Sequence, residues 1–192
     1  MAKADADASH IEQYFTQLLD QTQWAVYDFA RGLVGEAEGA HDIVQDVFVD
    51  AWRALQRHAA PFGGERSDAE VRKWLFHVTY CRAVSILRHR RVITWEPLSM
   101  DDALGPDLSH EQMALEDRVA EAEVLRAALR SLGPQDAACL LLSVVQGFTS
   151  SEIAHIVDIS PEAAKKRLTR AKQRLRTAYF AQHAQSQERT HP

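Results

Sequence analysis

Apolar residues fall at helical spacing along most of the chain, and no stretch alternates in the two-residue period of a strand. Phe15, Leu18, Leu19, Val26, Phe29 and Leu33 recur near that spacing, with Gly32 and Gly35 standing where a helix stops. A second run gathers Ile43, Val44, Val47, Phe48, Ala51, Trp52 and Leu55 on one stripe and leaves Asp42, Gln45, Asp46, Asp50 and Arg53 mostly off it. Pro61, Gly63 and Gly64 then predict a loop. A third helical run, Val71, Trp74, Leu75, Val78 and Ile86, leads into the cationic string Arg88, His89, Arg90, Arg91.

From residue 92 to about 117 the pattern lapses. Pro97, Gly105, Pro106 and many acids leave too little apolar surface to bury, so this segment reads as a linker between two lobes. The second lobe opens with Val119, Ala122, Leu125, Leu129 and Leu132, broken by Gly133-Pro134. An apolar helix through Leu140, Leu141, Val144 and Val145 should end at Gly147, a residue suited to a C-terminal cap. Thr149-Ser150-Ser151-Glu152 has the spacing of a capping box, predicting a helix with Ile153, Ile156 and Val157 inward. Ser160 before Pro161 predicts the next helix start, and Ala164, Leu168, Ala171 and Leu175 supply its buried stripe. The polar tail after Phe180 is expected to fray. The expected fold is therefore all-α: two small helical domains joined by an acidic linker, the C-terminal one containing a helix-turn-helix.

A chain of 192 residues accommodates two such units and excludes a large multidomain enzyme. Cys81 and Cys139 are too few and too far apart for a disulfide framework or a metal knuckle. The nine histidines form no ligand array, and no phosphate-cradling Gly-rich loop occurs, so no metal and no cofactor are expected. No apolar run approaches the ~20 residues a membrane helix needs, and the start MAKADADASH lacks a signal peptide's apolar stretch. A cytoplasmic protein without membrane insertion is the expectation.

Charge changes the picture because it is uneven. The net charge of -5 conceals seven basic residues against two acidic over 66–91, and seven basic with no acid over 165–176. Residues 1–50 carry ten acids against two bases, and 96–123 carry nine against one. Phosphate binding follows local Lys and Arg density, so an acidic chain with two cationic faces remains able to bind DNA.

Residues 149–176 combine a short helix, a tight turn at Asp158-Ile159-Ser160 and a longer cationic helix, which is helix-turn-helix geometry. The second helix of such a motif enters the major groove, where base edges distinguish all four pairs. Lys165, Lys166, Thr169 and Arg170 lie on or near its outward face, while Arg167, Lys172, Arg174 and Arg176 suit phosphates or solvent. In the first lobe Asp42, Gln45, Asp46 and Val49 fall at i, i+3, i+4, i+7, a continuous stripe able to dock a partner.

The segment from Asp42 through Gln45, Asp46 and Phe48 to Trp52 resembles the core-polymerase-binding helix of bacterial extracytoplasmic-function (group 4) sigma factors. Trp74 to Tyr80 with the basic run to Arg91 resembles that family's promoter-melting segment. Ser151-Glu-Ile-Ala154 and Lys165-Lys-Arg-Leu-Thr-Arg-Ala171 resemble its minus-35 reader. The resemblance implies a core-binding and minus-10-melting domain at 10–91, an acidic linker at 92–118 and a minus-35-binding domain at 119–180. Cys81 stands where the family often carries Asn, which removes a side-chain donor and acceptor, and Ala164 replaces a branched residue.

By that resemblance the chain has no catalytic site; it attaches to core RNA polymerase, reads promoter DNA at two elements and is held inactive by an anti-sigma factor. Asp42, Gln45 and Asp46 would meet the polymerase, with Phe48 supporting them from within. Lys165, Lys166, Arg167, Thr169 and Arg170 would bind the minus-35 element. Arg66, Lys73, Arg82, Arg88, Arg90 and Arg91 would contact the minus-10 strand, beside a pocket for an extruded base in the 62–71 loop. Trp74 and Tyr80 are either stacking platforms or core. Two other readings stay open on the residues: a helix-turn-helix regulator acting without polymerase, and a helical adaptor with basic faces for proteins.

Overall fold

The computed structural model describes residues 2–58, 61–63, 67–92, 121–122 and 124–190. The linker and Arg66 lie outside them, as does the side chain of Arg91. All regular elements among the described residues are helical: α1 (Ala2–Val34), α2 (Ala37–Gln56), α3 (Asp68–Val92), α4 (124–130), α5 (Pro134–Val144), α6 (Ser150–Ile156) and α7 (Pro161–Thr190). None is long and apolar enough to cross a membrane.

The first three helices pack as their stripes dictate. Val26 and Phe29 of α1, Ile43, Val47 and Leu55 of α2, and Val71, Leu75 and Phe76 of α3 are buried, with Phe62 of the intervening loop closing one end. Gly35, at φ +84, ends α1 in the left-handed region where glycine carries no Cβ penalty. Trp74 is half-buried with its ring 5.4 Å edge-on to Phe62, and Tyr80 is buried, so both serve the core.

In the second unit, α5 ends where Gly147 takes φ +73 and the chain turns back, so that the Phe148 N–H donates to the Leu142 carbonyl at 2.9 Å. Leu142, Ile153 and Ile156 form the interior, and Ala164 and Ala171 let α7 approach closely. The tail departs from expectation, because α7 continues to Thr190. Its last stretch is rich in Ala, Gln, Glu and Arg, whose helix propensity sustains the helix without an apolar stripe.

The two units share one apolar core. Phe76 stands edge-on between Phe29 (5.3 Å) and Phe148 (5.2 Å), and so joins α1 and α3 to the loop before α6. The Arg72 guanidinium lies 4.2 Å over the Phe148 ring and donates to the Gln146 carbonyl at 2.7 Å, while the Gln146 amide donates to Ala25 O at 3.3 Å. His77 Nδ1 donates to Ile156 O at 2.7 Å. At Gly32 a Cβ would meet Leu141 Cδ1 at 2.7 Å, so the absence of a side chain here lets Leu141 of α5 lie against the α1 backbone.

Candidate nucleic-acid interface

The start of α6 is built by reciprocal hydrogen bonds. The Glu152 N–H donates to Thr149 Oγ1 at 3.4 Å, and the Thr149 N–H and hydroxyl donate to Glu152 Oε2 at 2.8 and 2.7 Å. These bonds, the hydroxyl's foremost, hold the Glu152 carboxyl below the usual carboxylate range. A lowered folded-state pKa stabilises at neutral pH, and that contribution is lost as pH falls through the folded value. We expect Thr149→Ala to lower the unfolding free energy by about 1 kcal/mol, read from denaturant midpoints; no loss would mean that the cap is not formed.

The turn into α7 places Asp158 at φ +54, a conformation Asp tolerates better than most side chains. The Ile159 N–H donates to Ala154 O at 2.9 Å, and the Ala163 N–H donates to Ser160 Oγ at 3.2 Å, capping α7 with Pro161 in its first position. α7 is thereby held across α5, with Ala164 and Ala171 inward and Lys165, Lys166, Thr169 and Arg170 exposed. Thr169 donates its hydroxyl to Lys165 O at 3.1 Å. Arg167 turns aside: its Nη1 donates to Asp136 Oδ1 at 3.1 Å, and Arg174 Nη1 donates to Oδ2 of the same carboxylate at 3.1 Å. Sequence reasoning missed Asp136, which lies 31 residues from Arg167 with no local pattern linking the two.

On α2 the stripe of Asp42, Gln45, Asp46 and Val49 is exposed, and Phe48 beneath it is buried with its ring 6.3 Å edge-on to Phe15. Arg82 of α3 donates to Asp46 Oδ2 at 2.6 Å and also pairs with Asp50. The structure thus brings together two groups that the sequence assigned to different surfaces. Lys73 pairs with Glu70, and Arg90 pairs with Glu36. Arg88 is exposed.

Cys81 Sγ lies 3.7 Å from His77 Nε2. Burial raises its pKa, with the Asp158 charge adding to the effect, and burial pushes Cys139 up to about 11. Both are neutral thiols at physiological pH, so neither is an activated nucleophile. Among the described residues no three His, Cys, Asp or Glu side chains come together to hold a metal ion.

A family model described as Sigma-70, region 4 matches residues 122–175. The ECF RNA polymerase sigma factor SigE of Mycolicibacterium smegmatis is 29% identical over 171 residues, covering 88% of this chain and 62% of its own length. The RNA polymerase sigma factor CnrH of Cupriavidus metallidurans is 27% identical over 175 residues, covering 88% of this chain and 87% of its own. Among solved structures, CnrH in complex with the cytosolic domain of CnrY superimposes with a TM-score of 0.61 at 24% identity, over 93% of this chain and 95% of that one. The sigma factor RpoE in complex with the anti-sigma factor NepR from Bartonella quintana gives 0.63 at 22%, over 86% and 96%. The chain accordingly spans under two thirds of the SigE relative and most of CnrH.

The described residues define a helical protein whose C-terminal part matches Sigma-70, region 4 over residues 122–175 and sets α6 and α7 on either side of a tight turn. Over most of its length the chain is similar to extracytoplasmic-function and related RNA polymerase sigma factors.

Proposed function

We propose that the chain binds core RNA polymerase through the exposed stripe of α2, reads the minus-35 element with α7 and the minus-10 element with α3, and so directs transcription initiation. The observation that carries this reading is the outward face of α7. Lys165, Lys166, Thr169 and Arg170 are all exposed on one helix whose opposite face is locked to α5. Acidic and amide groups at Asp42 and Gln45 suit a basic partner surface.

At the minus-10 element, unstacking a base costs on the order of a few kcal/mol, to be offset by strand contacts and a pocket for the base. Arg88 is exposed for such a contact, whereas Arg82 has to leave Asp46 and Asp50 to make one. The core positions of Trp74 and Tyr80 favour support of the α3 surface over open stacking platforms. An anti-sigma factor is the expected regulator, by analogy with the complexes of RpoE and CnrH.

The deciding experiment is run-off transcription with purified core polymerase on a promoter library. Promoter-specific transcripts that appear only when chain and core are combined are the expected result. Specific duplex binding by the chain alone, unchanged by core, would favour the regulator reading instead. In the same assay, Lys166→Ala and Arg170→Ala should each weaken promoter binding by about 5- to 150-fold, the range for loss of one good base contact, with core association intact.

A further inference from the structure

Asp136 sits in the first turn of α5 with its side chain only 7% exposed, and both of its oxygens are taken by α7: Oδ1 by Arg167 and Oδ2 by Arg174, each at 3.1 Å. The two arginines are seven residues apart, two helical turns on nearly one face, or about 10 Å along the axis. Two arms from points that far apart converge on one carboxylate. A slide of α7 along its axis, or a roll about it, lengthens at least one of the two bonds. Ala164 and Ala171 permit close approach while Leu168 and Leu175 pack against the core beside them, and the carboxylate adds a directional polar register to that apolar packing.

The same contacts change the charge that DNA meets. Of the seven cations between Lys165 and Arg176, Arg167 and Arg174 are paired with the Asp136 carboxylate, Arg174 through a side chain that stays exposed, and Lys165, Lys166, Arg170, Lys172 and Arg176 are exposed without that partner. Each phosphate contact strengthens binding to any sequence equally, and so raises affinity without raising discrimination.

We propose that Asp136 is a positioning and specificity-determining residue for minus-35 recognition: it fixes the register of α7 and withholds Arg167 and Arg174 from the phosphates. Its partners are therefore positioning residues and not DNA contacts. This inference rests on the reading of α7 as the minus-35 helix.

The test measures holoenzyme binding by fluorescence anisotropy between 50 and 200 mM salt. The probes are a random-sequence duplex pool and the duplex that wild-type holoenzyme enriches from it. Asp136→Asn is expected to steepen the salt dependence on the random pool by up to about two contacts. That is roughly a twelvefold larger loss of affinity across this fourfold range, at a slope of ~0.9 in log affinity against log salt for each phosphate contact. It should also reduce the preference for the enriched duplex at least fivefold. A purely structural carboxylate would weaken binding without steepening the slope, and that outcome overturns the proposal. Arg174→Gln, on a side chain 62% exposed, tests it independently of folding at Asp136. It should leave the slope within about 0.3 of wild type, whereas loss of a true phosphate contact lowers it by ~0.9, which would also overturn the proposal. If wild-type holoenzyme enriches no duplex, the functional reading fails and takes this inference with it; enrichment with an Asp136→Asn slope equal to wild type defeats the inference alone.

Discussion

Phe76→Ala is expected to lower the unfolding free energy by about 3–5 kcal/mol, a large part of the 5–15 kcal/mol typical of a folded protein. The side chain is fully buried and touches both halves of the core, with Phe29 on one side and Phe148 on the other. Its removal takes away the transfer free energy of a phenyl ring, leaves a cavity, and breaks two edge-on ring pairs worth about 0.5–1.5 kcal/mol each. It also strips one face from the Arg72 guanidinium, whose carbon lies 5.4 Å from the Phe76 centroid. Because the ring joins α1 and α3 to the loop before α6, both units should lose stability in a single transition. Chemical denaturation followed by tryptophan fluorescence and by circular dichroism checks this. A loss under about 1 kcal/mol would show that the site collapses around the gap, since such sites differ in how far they relax.

The second large effect lies on the opposite kind of residue. Asp42→Ala combined with Gln45→Ala should reduce affinity for core polymerase by about 30-fold or more, as loss of interface anchors does, while stability changes by no more than ~0.5 kcal/mol each. Both side chains are exposed on α2, and the residues that keep the stripe in place, Ile43, Val47 and Phe48, lie beneath it and are untouched. Promoter discrimination by whatever holoenzyme still forms should be unchanged. Pull-down with core and thermal unfolding, run on the same preparation, separate the two quantities. Equal loss in both would point to misfolding and remove α2 as the docking face.

These two predictions differ in what had to be known to make them. The α2 stripe was legible from spacing, because residues three and four apart on a helix are neighbours whatever surrounds them. The same holds for the starts and stops of the second unit. Thr149 with Glu152, Ser160 before Pro161 and Gly147 after α5 each act within a few residues, and each stands where local chemistry places it. The extension of α7 to Thr190 was not legible from hydropathy, since that stretch of the sequence carries no apolar stripe and its helical tendency lies in backbone propensity.

Helical character, the caps, the two cationic segments and the exposed α2 stripe were determined by the amino-acid sequence alone, because each depends on interactions reaching no further than one or two turns. Only the tertiary structure decided which charges remain outward. Arg82 meets Asp46 across 36 residues, Arg167 meets Asp136 across 31, and Arg72 meets Gln146 across 74. No local period encodes such pairings; they exist because packing one apolar face against another brings distant polar groups within hydrogen-bond range, where leaving them unpaired in a partly buried setting would be costly.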